Sequence, residues 1–222
     1  MKKKISAIIA VRKGSKRIPD KNIKPFSNTS LLENKINQLM RVNVADEIIV
    51  SSDCDIMLAK SSELGARAIK RVPMLTTDNI PMNTVYRYLS TLAKYEHVLF
   101  VHVTSPLLED KSLKNCVEKY CDLGSEYDSL ATVSTVEEYI WNKNGAVNYD
   151  PNKHPRSQDL PRWYCLNFAV NMISKELMFS RKNIVGEKFY PFFLKREESI
   201  DVDNPIDFKV AEFLYNLRKE KK

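Results

Sequence analysis

The sequence predicts an α/β fold in which a doubly wound, mainly parallel sheet is covered by helices on both faces. Three short apolar runs are typical of strands buried on both faces, at 5–11, 47–50 and 98–103. Four segments with helical spacing alternate with them, at 31–42, 56–64, 85–95 and 113–123. This alternation favours a parallel sheet, whose ligands bind at the carboxyl ends of the strands.

The regular alternation stops after a further expected strand at 130–133. Residues 139–166 form an irregular excursion that contains Trp141, Trp163 and Tyr164. These aromatic side chains would be buried if the excursion packs against a second subunit, and a loop folded onto its own domain explains them equally well. An amphipathic helix that begins at Asn204 or Pro205 is expected to close the chain. We therefore interpret residues 1–222 as a single domain with an embedded excursion.

The net charge of +7 is concentrated at the chain ends and in one loop. Between Arg12 and Lys24, directly after the first strand, six residues are basic and one is acidic. A focused cluster of this kind suits a small polyanion such as a triphosphate, whereas nucleic acid requires a long basic stripe. We therefore expect no nucleic-acid partner.

The four cysteines form no CxxC pair, which argues against a structural metal site or a redox motif. We expect them to be reduced and buried. No apolar run approaches the roughly 20 residues that a membrane helix needs. We therefore expect no membrane association and a cytoplasmic location.

The loop RKGSKRIPDKN at 12–22 has the composition of a phosphate-binding loop, although it lacks the GxGxxG and GxxxxGK[ST] patterns. Gly14 and Ser15 allow the backbone to turn and to present N–H groups. Arg12, Lys16 and Lys21 supply positive charge where phosphate oxygens would lie. The alternative is a solvated basic loop, but its position after the first strand favours phosphate binding.

Asp201 and Asp203 are separated by one residue in a segment that we expect to be extended. The strand period of two places both carboxylates on one face. Mg²⁺ suits such a pair, because it binds one or two carboxylates and takes further ligands from water and substrate phosphate. The alternative role, capping of the last helix, is better suited to Asn204.

The segment IIAVRKGSKRIPDKN resembles the opening signature of the acylneuraminate cytidylyltransferases, the CMP-sialic acid synthetases. Further matching segments follow over nearly the whole chain: IIVSSD, KRVPMLTTD, VTSPL, RSQDLP and IDVDNPIDF. The resemblance implies a Rossmann-like fold of the nucleotide-diphospho-sugar transferase type. It also implies CTP and an acidic nine-carbon keto sugar as substrates and Mg²⁺ as cofactor. The expectation of a homodimer rests instead on the excursion.

The resemblance also implies roles for individual residues. Arg12 and Lys21 would stabilise charge on the triphosphate as it is cleaved, and Asp201 and Asp203 would hold the metal. The remaining implied nucleotide-binding residues are Gly14, Ser15, Lys16, Asn22, Arg71, Asp78, Thr104 and Ser105, of which Asn22 and Arg71 would meet the cytosine and ribose. The implied acceptor-sugar residues are His102, Arg156, Gln158 and Asn167. Without the resemblance, Arg71 would be interpreted as a surface residue and Arg156 as a solvated loop residue.

Three residues depart from the family pattern near the expected acceptor side. His102 stands where glutamine is usual, Leu108 where arginine is usual, and Phe168 where glycine is usual. His102 either contacts the sugar or finishes a strand edge. These departures leave the identity of the sugar more open than the use of CTP, and they keep open a nucleotide-binding relative without turnover. A nucleotidyltransferase that uses another base or a sugar 1-phosphate is a separate alternative. A nucleotide panel and pyrophosphate release separate these alternatives.

Overall fold

The computed structural model describes residues 3–77 and 79–220 of the 222-residue chain. Within these ranges the strands are β1 (Ile5–Ala10), β2 (Pro25–Phe26), β3 (Thr29–Ser30), β4 (Glu47–Ser52), β5 (Arg67–Lys70), β6 (His97–Val101), β7 (Ser129–Val136), β8 (Trp141–Asn142), β9 (Gly145–Ala146), β10 (Trp163–Ser174) and β11 (Phe189–Phe193). The helices are α1 (Leu31–Val42), α2 (Asp55–Glu63), α3 (Met82–Leu92), α4 (Asp110–Cys121), α5 (Lys175–Arg181) and α6 (Pro205–Glu220). Single turns of 3-10 helix lie at Pro73–Leu75, Ser157–Asp159 and Arg196–Ser199.

Seven strands form one sheet in the order β5-β4-β1-β6-β10-β7-β11. The pairs β5–β4, β4–β1, β1–β6 and β7–β11 are parallel, and β10 is antiparallel to both of its neighbours. Only β10 therefore opposes the direction of the other strands in this sheet. The doubly wound, mainly parallel sheet predicted from the sequence is confirmed.

The strand β1 shows why the sheet needs helices on both faces. Its residues Ala7 and Ile9 belong to a core that includes Ile36 of α1, whereas Ile8 belongs to a second core that includes Leu89 of α3. Since successive residues of a strand point to opposite faces, an apolar run without polar alternation requires cover on both sides. The helices of the two layers provide that cover.

The strand order reverses beside β1 and creates a binding position. From β1 the chain proceeds to β4 and β5 on one side and returns through β6 on the other. The loops that leave the carboxyl ends of β1 and β6 therefore separate, and a crevice opens between them. These loops begin at Val11 and at His102.

Most predicted elements agree with the structure, but the end of the excursion differs. Trp163 and Tyr164 lie on β10, paired with Val136 and Thr135 of β7, and are not part of an irregular segment. The two strands extend beyond the core as a ladder, which the local sequence does not reveal. Trp163 and Tyr164 are nevertheless exposed.

The cysteines follow the prediction only in part. All four are free, and Cys54 and Cys116 are buried. Cys121 is half-buried, and Cys165 is exposed because it lies on the part of β10 that extends beyond the core. The prediction that all four are buried is therefore wrong. Among the described residues, none of the helices combines the length and apolar character needed to cross a membrane.

Candidate active site

A cleft of about 340 Å³ lies between the loops that follow β1 and β6. It therefore occupies the position where the strand order reverses. Seven of the residues proposed from the sequence line it: Arg12, Ser15, Lys16, Lys21, Asn22, His102 and Thr104. The cleft joins the predicted phosphate loop to the loop after β6.

The phosphate loop begins with a turn that requires glycine. Gly14 has a φ of 83°, which is in the left-handed region, and no atom lies within 4 Å of the position that a Cβ would take. Backbone conformation, and not lack of space, therefore demands glycine here. The amide of the preceding Lys13 donates to the Asp53 carboxylate at 2.8 Å, which ties the turn to the loop after β4.

Asn22 closes the same loop at its other end. Its side-chain amide donates to the carbonyl of Arg12 at 3.1 Å, and its own carbonyl accepts from the amide of Leu32 at 3.0 Å. Ile18 between them is buried in the core. The loop is therefore held by one apolar anchor and by hydrogen bonds at both ends, while its basic side chains border the cleft.

Two basic side chains of the loop reach the segment before α6. The Lys21 Nζ donates to the carbonyl of Val202 at 2.6 Å and lies 3.6 Å from the Asp203 carboxylate. Arg17 also lines the cleft and pairs with Asp203 at 3.1 Å. The basic loop and the paired aspartates therefore meet at the rim of the cleft.

Asp201 and Asp203 flank a buried residue in an extended segment. Val202 is fully buried, and its amide donates to the carbonyl of Thr104 at 2.8 Å. Although Asp201 as a residue is exposed, desolvation raises the pKa of its carboxyl, and a hydrogen bond with the Thr104 side chain acts in the opposite direction. The alternation places both carboxylates away from the core, as the strand period of two predicts.

Asn204 takes the capping role at α6, which leaves the two aspartates before it free of that role. Its side-chain oxygen accepts from the amides of Ile206 at 3.0 Å and Asp207 at 3.2 Å. The Asp207 carboxylate accepts in return from the amide of Asn204 at 2.9 Å. This reciprocal arrangement is a capping box.

The carboxylate oxygens of Asp201 and Asp203 are chemically suitable ligands for a magnesium ion. Both donors are hard carboxylate oxygens beside a basic cleft, and Mg²⁺ commonly uses one or two protein carboxylates together with water and phosphate. In the parts of the chain that the structure describes, no group of three or more His, Cys, Asp or Glu residues is placed to hold a metal. The remaining ligands of such an ion would therefore come from substrate and water.

Arg71 is buried beside the cleft and does not line it. Its guanidinium donates to the carbonyl of Ser51 at 2.6 Å and to the Ser51 hydroxyl at 3.2 Å. Burial lowers its pKa, and the negative charge of Asp53 acts in the opposite direction. Ser105 is also buried and is not among the lining residues. The predicted residue Asp78 lies outside the described residues.

The predicted acceptor-sugar residues lie in different places. His102 lines the cleft, whereas Asn167 donates to the Ser134 hydroxyl at 2.9 Å, beside a second cleft of about 230 Å³. Arg156 and Gln158 are exposed on the excursion, and Arg156 pairs with Asp159 at 2.9 Å. Within one copy of the chain, the described contacts do not bring Arg156 and Gln158 to His102 or Asn167.

Sequence reasoning missed three residues of the site. Arg17 belongs to the basic run but was assigned no role, although it reaches Asp203. Asp53 follows β4 and anchors the phosphate loop, a position that the predicted carboxyl end of that strand could have indicated. Lys35 is buried in α1 and donates to the carbonyl of Ser105 at 3.1 Å, a contact between positions too distant in sequence to infer.

Several proteins with similar sequences are named cytidylyltransferases. N-acylneuraminate cytidylyltransferase A of Danio rerio is 31% identical over 217 residues, which are 94% of this chain and 50% of that protein. Pseudaminic acid cytidylyltransferase of Campylobacter jejuni is 29% identical over 224 residues, covering 96% of this chain and 97% of that protein. The chain spans about half the length of several curated relatives that it matches.

A solved structure supports the fold independently. The structure of CMP:2-keto-3-deoxy-manno-octonic acid synthetase complexed with CTP has a TM-score of 0.72 to this chain at 12% identity. The likeness covers 97% of this chain and 99% of that one. In addition, the family model described as Cytidylyltransferase matches residues 6–205. The phosphate loop, the cleft and the aspartate pair all lie within this match, and the chain belongs to the cytidylyltransferase family.

Proposed function

We propose that this chain transfers CMP from CTP to the anomeric hydroxyl of a nine-carbon 2-keto sugar acid of the sialic acid type. The observation that carries the proposal is the cleft itself, where a basic loop meets the Asp201–Asp203 segment through Lys21 and Arg17. The names of the relatives from Danio rerio and Campylobacter jejuni support the class of sugar.

The proposed reaction is a single displacement at the α-phosphorus of CTP. The anomeric oxygen of the sugar forms a bond to that phosphorus, the bond to the oxygen bridging the α- and β-phosphates breaks, and the hydroxyl proton passes to solvent. Pyrophosphate leaves with the bridging oxygen. No covalent intermediate with the protein is needed, so catalysis consists of positioning and charge stabilisation.

The basic loop would hold the triphosphate. Arg12 and Lys21 border the cleft and would stabilise the charge that develops as the phosphate bond breaks. Ser15 and Lys16 would hold the outer phosphates, and the Gly14 turn would allow backbone N–H groups to approach them. Since Lys21 pairs with Asp203 in the present structure, we expect triphosphate binding to redistribute that contact.

We propose Asp201 and Asp203 as the residues that hold Mg²⁺. A bound magnesium ion would neutralise part of the negative charge on the phosphate oxygens. The Thr104 hydroxyl bonds with Asp201, and Arg17 and Lys21 pair with Asp203, so each carboxylate is held by a neighbouring side chain at the rim of the cleft. These contacts would orient the two carboxylates before the substrates bind.

Asn22, Arg71 and Asp78 are proposed to recognise the nucleoside, with Thr104 and Ser105 supporting the turn opposite. Asn22 lines the cleft, and buried Arg71 braces the end of β4 through Ser51. A base edge requires donors and acceptors in fixed positions, which a hydrogen-bonded arginine and an amide provide.

We further propose a homodimer whose interface uses the excursion and the exposed end of β10. Tyr164 and Phe193 are exposed, and their ring centroids are 5.7 Å apart. Exposed aromatic groups of this kind are enriched in protein interfaces. Such an interface would allow Arg156 and Gln158 of one copy to approach the acceptor in the other, with Arg156 binding the sugar carboxylate.

Sedimentation equilibrium tests the dimer directly. We expect the parent to sediment as a dimer and Tyr164→Asp to sediment as a monomer, with Phe213→Asp as the control at an exposed aromatic residue of α6 outside the excursion. A monomeric parent would contradict the proposed assembly.

The proposed use of CTP and the free cysteines support a cytoplasmic location, which we propose on that basis.

A nucleotide panel tests the proposed reaction. Pyrophosphate release is measured with CTP, UTP, ATP or GTP, each with magnesium and a nine-carbon keto sugar acid. The mass of the sugar product is determined by mass spectrometry. We expect release with CTP and a product equal in mass to the CMP-sugar. A preference for ATP or GTP would contradict the cytidine assignment, and binding of CTP without release would support a relative without turnover.

A further inference from the structure

His102 lines the cleft, and the ring of Phe168 lies against it although 66 positions of the sequence separate them. His102 follows the end of β6, and Val170 of β10 pairs with Val101 of β6. Continued by one residue, this antiparallel register brings Ala169 opposite His102, and Phe168 is the neighbouring residue. The centroids of the two rings are 6.0 Å apart, and their planes are inclined by 34°.

The imidazole of His102 has an unsatisfied nitrogen. Nε2 is buried and has no hydrogen-bond partner among the described residues. Burial lowers the pKa of His102 and the positive charges of Lys35 and Lys21 act in the same direction, so that the pKa lies at about 4. The ring is therefore neutral near pH 7. A buried polar nitrogen without a partner is costly, which is explained if a ligand supplies the partner.

Phe168 is held in an unfavourable backbone conformation. Its φ is 57°, in the left-handed region that residues with a Cβ seldom adopt. The register between β10 and β7 shifts between Leu166 and Asn171, so Phe168 lies in this irregularity. Backbone strain that the surrounding structure maintains is characteristic of functional sites. In this conformation the ring of Phe168 points towards His102. Phe168 remains 38% exposed.

Together the two side chains offer one polar atom and one aromatic surface. A neutral imidazole nitrogen can exchange a single hydrogen bond, and an aromatic ring packs well against methyl or acyl groups. A sugar tail with several free hydroxyl groups would require several polar partners to compensate for its desolvation. The pair is therefore better suited to a tail in which hydroxyl groups are replaced by acylamido and methyl groups.

We propose that His102 and Phe168 determine acceptor specificity, favouring nine-carbon keto sugar acids with acylamido and deoxy substituents over those with a hydroxylated tail. Phe168 contacts the methyl or acyl carbon atoms, and His102 Nε2 forms a hydrogen bond with the amide. This inference rests on the proposed function. The inference adds discrimination between acceptor sugars, which the proposed reaction does not itself require.

The test compares kcat/KM for two acceptors, N-acetylneuraminic acid and a 5,7-diacetamido-9-deoxy nine-carbon acid, at saturating CTP. The parent is expected to prefer the diacetamido sugar by about ten-fold or more, since one apolar contact changes kcat/KM by roughly 10- to 200-fold. Phe168→Gly should reduce that ratio about ten-fold, mainly through KM. His102→Leu should lower kcat/KM for the diacetamido sugar and have less effect on the other.

Lys182→Gly is the matched control. Lys182 has a φ of 56° and is exposed at the end of α5, so the substitution relieves a similar backbone conformation outside the cleft. Its sugar preference should equal that of the parent. If Phe168→Gly does not fold, Phe168→Asn replaces it, because asparagine tolerates the left-handed region.

The outcomes separate this inference from the proposed function. Turnover of both sugars with a ratio that neither Phe168→Gly nor His102→Leu changes would overturn the specificity proposal and leave the reaction intact. A parent that prefers the hydroxylated sugar would also overturn it. Absence of turnover with every sugar acid, in protein shown to bind CTP, would overturn both proposals.

Discussion

Replacement of Lys35 by methionine is expected to change how the stability of the protein depends on pH. Lys35 is 1% exposed in α1, and its Nζ donates to the Gln38 side chain at 2.8 Å and to the carbonyl of Ser105 at 3.1 Å. Burial lowers the pKa of Lys35 from 10.5 to about 7, and the negative charge of Asp110 opposes the shift. Lys35 therefore loses its proton much more readily in the folded chain than in the unfolded chain.

The sign of the effect follows from proton binding in the two states. Between the folded pKa of about 7 and the unfolded value of 10.5, the unfolded chain binds more protons at Lys35. The free energy of unfolding therefore rises with pH above about 7, by at most about 1.4 kcal/mol for each pH unit. Below that value both states hold the proton and the contribution no longer changes. Between about pH 7 and about pH 9, the contribution of Lys35 should increase by roughly 2 kcal/mol.

Urea unfolding of the parent and of Lys35→Met, followed by circular dichroism at several pH values, measures this contribution. The difference in unfolding free energy, parent minus variant, should increase from about pH 7 to about pH 9. Lys114→Met, at an exposed position of α4, controls for the removal of a surface lysine. Parallel curves for the parent and Lys35→Met would refute the reasoning, because they would mean that Lys35 has similar pKa values in both states.

Three further substitutions test the site and its support. Lys21→Ala should lower kcat/KM with CTP about 100-fold, because this cation is the one that we propose to face the breaking phosphate bond. Lys24→Ala, outside the lining of the cleft, should stay within a few-fold of the parent. Similar activity in the two variants would contradict the role of Lys21. Asn204→Ala should lower the unfolding free energy by about 1 kcal/mol through loss of the α6 cap. An unchanged urea midpoint would contradict this contribution of the cap to stability. Arg71→Lys should weaken CTP binding about ten-fold by calorimetry, since lysine cannot reproduce the forked contact with Ser51, and unchanged affinity would exclude this role.

The sheet could be predicted because its strongest signals are local. The run that became β1 is apolar without alternation, which requires cover on both faces, and Ile8 and Ile9 are indeed buried in different cores. The segment around Val202 could be predicted equally well, since the alternation of an extended chain places the carboxylates of Asp201 and Asp203 on the same face. Local periodicity was sufficient in both places.

Other features depend on contacts between distant parts of the chain. Trp163 lies on a strand because Val136 pairs with it, and no pattern near Trp163 predicts that partner. Arg71 has no local signal of burial, and its position results from contact with Ser51. The contact of Lys35 with Ser105 likewise joins α1 to the loop after β6. Family resemblance drew attention to Arg71, but Lys35 became visible only in the structure.

The phosphate loop lies between these two cases. Its composition identified the cations, and Gly14 was correctly placed at a turn. The pairing of Lys21 and Arg17 with Asp203 was not predictable, because it depends on how the segment before α6 returns to the cleft. Composition therefore identified where the basic groups are concentrated, and tertiary structure determined which groups they meet.

Pyrophosphate release from CTP in the presence of magnesium and a nine-carbon keto sugar acid tests the central claim most directly. The parent is compared with Asp201→Asn and with Asp122→Asn, which removes a carboxylate at the end of α4, away from the cleft lining. We predict release by the parent and by Asp122→Asn, and loss of at least about 100-fold in Asp201→Asn. Release that is unaffected by Asp201→Asn would contradict the metal site, and absence of release by the folded parent with every sugar acid would contradict the proposed reaction.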